Sequence, residues 1–511
     1  MMRTTKPLQH QLCVGFFLLA IGQTVFGQYT AEELYPTLDQ PESRFGTSVD
    51  ISYRTIAAGS PSVDGTTTGA VHVFERANGL WTETAKLIAN DARTDDGFGA
   101  VICGSSNIIV TGTADYAVNG NTAVYVFESI SNNWTQTAKL TVTNAGAWDQ
   151  FGIDIDISGT TIAVGCPRSW WTYPPGSVYI FDFIDGVWTQ TVELVAPDAA
   201  EFDHFGQSVS IDDDILIVGG FGESDPYYTG SYDDEPYGAA YRFVRTPWGD
   251  WSSGYKIVPF DLRRGSYFGH TVAIDGDSYA VGAPGDGTVY VYGSHPTTKL
   301  TGYGTAIDLC DDHLVIGGSA HLFEYTNLTW NYQGSLCSQA SGLPPSFSGN
   351  ISISKNVTVV GRSTYNAHGN WEWHGEAYAI ERDSDSDGAG NPTELIIGSN
   401  PHNPDSDGDG SNDGHELDSG TSPLDSNDVF KVVAQGSTTD LVWMEWNAKY
   451  RKAYQIQKSS DLINWSSAPS NSIHEIFKSL QIAPTNGPLL YVDPSPISEK
   501  SFYRVLLKQQ L

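Results

Sequence analysis

Three stretches of the chain nearly repeat one another: WTETAKLIANDARTDDGFGAVI from Trp81, WTQTAKLTVTNAGAWDQFGIDI from Trp134 and WTQTVELVAPDAAEFDHFGQSV from Trp188. A period of roughly 50 residues restricts a chain to repeat architectures, in which each unit buries its apolar face against the next. An aromatic-Gly pair marks the units, at Phe45-Gly46, Phe98-Gly99, Phe151-Gly152, Phe205-Gly206, Phe268-Gly269 and Tyr303-Gly304, with a degenerate FSG at 347–349. Leu34, Leu87, Leu140, Leu194, Ile257 and Leu336 each stand eleven positions before an aromatic of this set, and only the short fifth unit breaks the register. Trp81, Trp134, Trp188, Trp251 and Trp330 precede their Leu or Ile by six, an even offset that keeps both on one face of a strand.

Each unit holds four short runs of Val, Ile, Thr and aromatics separated by turn residues, as in SVDIS, TIAAG, AVHVFE and WTETAKL. Four strands per unit, repeated radially, make a β-propeller blade. The seventh unit supplies only NISIS, VTVVG and EAYAIE, and the missing outer strand is expected from AEELYPTL, whose Leu34 keeps the register. The expected fold is all-β, a seven-bladed β-propeller closed by an N-terminal strand. The phenylalanines are expected to wedge between blades, each following Gly allowing close backbone approach.

These units resemble the FG-GAP repeats of integrin α-subunit heads and of many secreted bacterial proteins. The resemblance spans about residues 29–382, and FGHTVAIDGDSYAVGAPGDGTVYVY at 268–292 carries it most fully. In that family several blades hold acidic calcium loops. Here the corresponding turns, ISGTT at 157–161, DDD at 212–214 and DGD at 275–277, are too short for twelve-residue loops, so no calcium is expected in the blades.

From Asp383 the composition turns acidic. DSDSDGAGNPTELIIGSNP and DSDGDGSNDGHELDSGTSP align at an offset of 22, each a D-x-D-x-D-G loop ending in Glu. Calcium takes six to eight oxygens, so carboxylates must alternate along a tight loop, and a terminal Glu can chelate with both oxygens. The expected ligands are Asp383, Asp385, Asp387, Ala389, Asn391 and Glu394 in the first loop, and Asp405, Asp407, Asp409, Ser411, Asp413 and Glu416 in the second, with Ala389 and Ser411 offering only backbone carbonyls. Asn391 stands where the second loop has Asp413, so the second loop, richer in charge, is expected to fill first. Pro392, Gly398, Pro401, Pro404, Gly420 and Pro423 leave almost no room for the helices of an EF-hand. The paired loops, 383–428, resemble thrombospondin type 3 repeats, including their bacterial DxDGDGxxDGxEL variety.

Residues 429–511 return to strand-like runs and suggest a small β-sandwich; YQIQKSSDLINW and the late FYRV resemble C-terminal modules of secreted bacterial proteins. Residues 1–27 have the form of a secretory signal peptide, with Arg3 and Lys6 before LCVGFFLLAIG. The propeller is then expected over 28–382. No later apolar run reaches 18 residues, so no transmembrane span is expected. A net charge of −33, from 60 acidic against 27 basic residues, argues against nucleic acid as a partner. Cys103, Cys166, Cys310 and Cys337 are too few for a disulfide scaffold; a single bridge or buried thiols are the alternatives.

The loops after the second strand of blades three, four and seven are long and aromatic: PRSWWTYPPG, FGESDPYYTGSYDDEPYG and RSTYNAHGNWEWHG. Strand order puts them on one face, where Trp170, Trp171, Tyr173, Tyr227, Tyr228, Tyr232, Trp371 and Trp373 could stack on sugar rings or anchor a protein, or else pack on one another. The leading expectation is a secreted or cell-surface, non-enzymatic binding or adhesion protein. Its partner would be an extracellular glycan or protein, and calcium would stiffen a stalk after the propeller. The alternatives are a polysaccharide lyase or hydrolase, using acids such as Asp149, Asp203, Asp233, Asp234 and Glu235 with His204 near, and a passive matrix or envelope component.

Overall fold

A computed structural model gives the fold. It describes residues 29–36 and 44–428, apart from 53, 62–67, 78–79, 95, 106, 114–121, 145–148, 168–174, 202, 223–236, 295, 303, 318–319, 337–349, 355–356, 367–371, 386, 388 and 420; beyond 428 it describes the backbone of the strands named below. The expected signal peptide, Cys337 and the FSG at 347–349 lie outside the described residues. The chain divides into a compact unit Tyr29–Arg382 and a second unit that holds Asp383–Leu511.

Tyr29–Arg382 forms seven four-stranded antiparallel sheets. In the third blade Ile155–Ser158, Thr161–Cys166, Ser177–Ile184 and Val187–Leu194 lie side by side in sequence order. The first strands, Val49–Ser52, Val101–Ser105, Ile155–Ser158, Ser208–Asp212, Val272–Asp275, Ile307–Cys310 and Ile351–Ser354, neighbour one another in a ring in which the last meets the first. The hairpin turns from first to second strand are two residues long, for example Gly159-Thr160 and Asp213-Asp214, with φ of 56° at Gly159 and 47° at Asp213. Positive φ at the first turn position matches the twist of the flanking strands.

Closure is three strands plus one. Tyr29–Glu33 pairs antiparallel with Glu372–Arg382, setting Tyr29 opposite Arg382 and Glu33 opposite Tyr378. The Leu34 N–H donates to the Ala377 carbonyl at 2.9 Å, and Leu34 is buried with Phe45, Trp81, Val357 and Ala379 between blades seven and one. The Trp81 N–H donates to Glu32 Oε1 at 2.8 Å, and Arg76 of blade one pairs with Glu381 of blade seven. The N-terminal strand thus covers what would be an open sheet edge.

The apolar core is a set of layers between consecutive blades. Phe98 packs edge-on against Tyr125 and Phe127 of its own blade, in a layer with Val71, Val73 and Leu87 of the blade before. Phe45, Phe151, Phe205 and Phe268 sit in the same way, each at most 1% exposed. The six Leu or Ile residues of the eleven-residue register are all buried, and so are Trp81, Trp188 and Trp330. The glycine is needed for a reason the wedge alone does not supply. Gly269 has φ of +88°, and a Cβ there would stand 2.0 Å from the Ala239 carbonyl oxygen of the preceding blade.

In blades two, four and five a polar bracket ties the outer strand to the connection that leads into its blade. Asp91 holds Lys139 at 2.6 Å, Asp198 holds Lys256 at 2.8 Å with the Tyr241 hydroxyl at 3.0 Å, and Asp261 holds Lys299 at 2.7 Å with the Tyr290 hydroxyl at 3.0 Å. The third blade replaces both charged partners. Asn144 stands at the Asp position and donates to Glu193 at the Lys position at 2.8 Å, while the Tyr179 hydroxyl reaches both.

In the second unit, two seven-residue helices break the acidic segment: α1, Asn391–Ile397, and α2, Asp413–Ser419. This corrects the expectation that the prolines exclude helix. Pro392 lies at the start of α1, where its missing N–H has no intrahelical partner to lose, and Gly398 ends the helix with φ of 91°. Later strands form two antiparallel sheets. One comprises Val432–Ser437, Val442–Ala448 and Gly487–Asp493; the other joins Ala453–Ser459 to Phe502–Lys508, Leu480–Ile482 and Ser466–Ser467. No helix among the described residues is long and apolar enough to cross a membrane.

Candidate metal centre and binding faces

The two acidic loops fold alike from the residue level up. The Ala389 N–H donates to Asp387 Oδ1 at 2.6 Å, and the Ser411 N–H donates to Asp409 Oδ1 at 2.8 Å, so the fifth position bends each loop back on itself. The side chain at the ninth position accepts from the second: Asn391 Oδ1 from the Ser384 N–H and Asp413 Oδ1 from the Ser406 N–H, both at 2.8 Å. Each helix begins at that ninth position and carries the closing Glu in its first turn, which swings Glu394 and Glu416 back toward the aspartates.

The two loops differ in what surrounds them. Carboxylate oxygens of Asp383, Asp385 and Asp387 lie within 4.8 Å of one another, as do those of Asp387, Glu394 and Asp413. Asp383, Asp387, Glu394 and Asp413 are buried, with Glu394 0% exposed and neither of its side-chain oxygens accepting a hydrogen bond. Burial, then the nearby charges of Asp385, Asp387, Asp413 and Asp383, push Glu394 up to about 9. In the second loop Asp405, Asp407 and Asp409 form a half-buried triple, and burial followed by Asp409 and Asp407 raises Glu416 to about 8. A buried carboxylate without a donor is costly unless a proton or cation satisfies it. An all-oxygen carboxylate set suits a hard divalent cation.

The rim of aromatic loops lies almost wholly outside the described residues: Trp170, Trp171, Tyr173, Tyr227, Tyr228, Tyr232 and Trp371 all do. Trp373 is placed only by its backbone, opposite Tyr365 in the last blade. Of the acids weighed as catalytic, Asp233, Asp234 and Glu235 also fall outside. Asp203 accepts the Ala200 N–H at 2.5 Å in the turn before Phe205, and His204 stacks on Phe221 at 5.0 Å with burial lowering it to about 4. Asp149 is buried in the turn before Phe151, where its carbonyl accepts the Cys166 thiol at 3.1 Å. Cys103 and Cys166 are buried and Cys310 is half-buried, and no disulfide joins any two of the three.

Two features were not anticipated from the sequence. The first is an axial channel of about 400 Å³ lined by the first strands, into which Asp50, Asp154, Asp156, Asp308, Ser208, Ser210 and Ser352 project. These side chains stitch blade to blade. Asp154 accepts from the Val209 N–H at 2.9 Å, Asp156 from the Ile211 N–H at 2.8 Å, Ser210 from the Ile274 N–H at 3.2 Å, Asp308 from the Ile353 N–H at 2.8 Å and Ser352 from the Ile51 N–H at 3.3 Å. Burial drives Asp50 up to about 8, Asp156 to about 7, and Asp154 and Asp308 to about 6. The alternation of polar and apolar residues in SVDIS, IDIDIS and QSVSID was the signal for it. The second feature is a groove of about 620 Å³ between the outer hairpins of blades three and four, lined by Phe183, Ile184, Arg245, Trp248 and Trp251, with Trp248 90% exposed.

Comparison with known proteins places the repeat independently. The FG-GAP repeat matches residues 81–127, 134–181, 188–243 and 251–293, each span starting at an outer-strand Trp and reaching the third strand of the next blade. No curated protein matches the chain. Among solved structures, similarity extends to a provisionally assigned 6-phosphogluconolactonase from Bacteroides uniformis (11% identity, 66% of this chain and 95% of that one, TM-score 0.40). It extends also to the β-propeller domain of the Trilobed protease from Pyrococcus furiosus (10%, 65% and 95%, 0.35) and to an acylaminoacyl peptidase from Pyrococcus horikoshii (10%, 91% and 64%, 0.39). Likenesses this remote carry nothing about what the chain does.

Proposed function

We propose that this FG-GAP β-propeller protein is a secreted or cell-surface, non-enzymatic binding or adhesion protein, and that calcium orders the acidic segment following the propeller. The observation that carries the calcium part is Glu394, enclosed and without a hydrogen-bond donor among acidic neighbours. Calcium would be held there by Asp383, Asp385, Asp387 and Glu394, and in the second loop by Asp405, Asp407, Asp409 and Glu416, as the resemblance to thrombospondin type 3 repeats implies. Its role is structural: a cation bound only by the folded segment stabilises it in proportion to the logarithm of calcium concentration. The blades hold together through the aromatic layers and the channel stitches, so the ring itself is not assigned a metal.

Recognition belongs to the propeller, because loops on a rigid scaffold are where binding residues collect. The favoured partner is a glycan or protein met by the aromatic loops of blades three, four and seven. The test is binding to a glycan array, with the same polysaccharides incubated and sized afterwards. Retained, intact chains and loss of binding in a W170A/W171A/W371A/W373A variant that melts like wild type are expected. Shortened polysaccharide would overturn the non-enzymatic reading and favour a lyase or hydrolase. Unchanged binding by the variant would move the site off this rim, and the groove at Trp248 is the next surface to alter.

A further inference from the structure

The repeat alignment gives each acidic loop its own twelve positions, but the folded segment does not respect that division. We propose that Asp413, the ninth residue of the second loop, is a ligand of the first loop's cation, so that the first site is a cage built by both repeats and is the tighter of the two. The inference rests on the calcium reading above. A carboxylate oxygen of Asp413 lies within 4.8 Å of those of Asp387 and Glu394, and all three residues are at most 2% exposed. Glu394, with both oxygens enclosed and unbonded, faces this group, so a cation there would satisfy it. The backbone adds a second link across the repeats: the Gly414 N–H at the start of α2 donates to Asp387 Oδ2 at 3.3 Å.

Charge and burial then reverse the order of filling expected from sequence. The first cage is made of two triples that share Asp387, one with Asp383 and Asp385 and one with Glu394 and Asp413, and four of these five residues are buried. The second loop keeps the half-buried triple Asp405, Asp407 and Asp409 with Glu416, which is itself 0% exposed, so the difference lies in the aspartates. More carboxylates around one cation, in a drier setting, bind calcium more tightly. Asn391 does not compensate in the first loop: Ser384 holds it much as Ser406 holds Asp413, each Oδ1 accepting the serine N–H at 2.8 Å and the other side-chain atom bonding the serine Oγ, but an amide brings no negative charge to the cation.

That same pair shows why Asp413→Asn is a clean probe. An amide at this position keeps the link to the second residue of its loop, as Asn391 does, while removing the negative charge. The experiment is calorimetric calcium titration of the full chain after chelation. Wild type is expected to take up calcium at two sites; no uptake at all would refute the calcium reading itself and leave no site to share. In E416Q, which disables the second loop, adding D413N is expected to weaken the remaining site tenfold or more. Equal affinities of E416Q and D413N/E416Q would overturn the shared cage. Terbium in the same two variants gives a second measurement, since its luminescence lifetimes in H₂O and D₂O count bound waters. One additional water with D413N is expected, and an unchanged count would contradict the proposal.

Discussion

Gly269 and Gly159 show how one residue type meets two different demands in the same ring. Both have left-handed backbones, with φ of +88° and +56°, yet a Cβ at Gly269 would meet the Ala239 carbonyl at 2.0 Å, whereas nothing lies within 4 Å at Gly159. Left-handed strain costs an L-residue about 1–2 kcal/mol. Gly159→Ala is expected to lose about that much, and Gly269→Ala distinctly more, because blade four must also move away from blade five. Thermal melting of the two variants decides it; equal losses would mean the inter-blade approach is not tight. The aromatic-Gly recurrence made Gly269 visible in sequence. What it did not disclose was the partner, a backbone carbonyl one blade away, because carbonyls leave no trace in residue identity.

At the scale of elements, the third blade's swapped bracket shows the repeat tolerating change only in pairs. Asn144 and Glu193 replace an Asp–Lys pair that recurs in three other blades. Asn144→Asp alone sets two carboxylates together and is expected to destabilise by up to about 1 kcal/mol, the usual scale for exposed charge pairs. Adding Glu193→Lys rebuilds the bracket of the other blades and is expected to restore the melting temperature. A double variant less stable than N144D would refute the equivalence. Strands and blade count were legible because apolar periodicity and turn residues are local properties. Helices α1 and α2 were not, since Pro392 reads as a breaker until it is seen to fall at the first turn of a helix. The meeting of Asp413 with Glu394 was also hidden, because aligning repeats assigns every ligand to its own copy.

At the scale of the whole molecule, the channel gives the ring an unusual response to pH. Asp50, Asp156, Asp154 and Asp308 have pKa values raised from the ordinary carboxylate range to about 8, 7, 6 and 6, principally by burial. Between those values and the unfolded carboxylate range the folded ring binds more protons than the unfolded chain, so stability falls as pH rises. His204, lowered by burial to about 4, opposes this only below the ordinary histidine range. In saturating calcium, the propeller's melting temperature is therefore expected to rise as pH falls from about 8.5 to 6.5. Asp50→Asn should flatten the slope, and a melting temperature that climbs with pH over this window would contradict the assignment.

The central claim is that one chain joins a metal-independent ring to an acidic segment whose order depends on calcium. Limited proteolysis of the full chain, with and without chelator, tests it most directly. Chelation is expected to open cleavage within 383–428 while a fragment covering 29–382 persists, and added calcium is expected to restore protection. Identical cleavage in both conditions, or loss of the propeller fragment on chelation, would contradict the account.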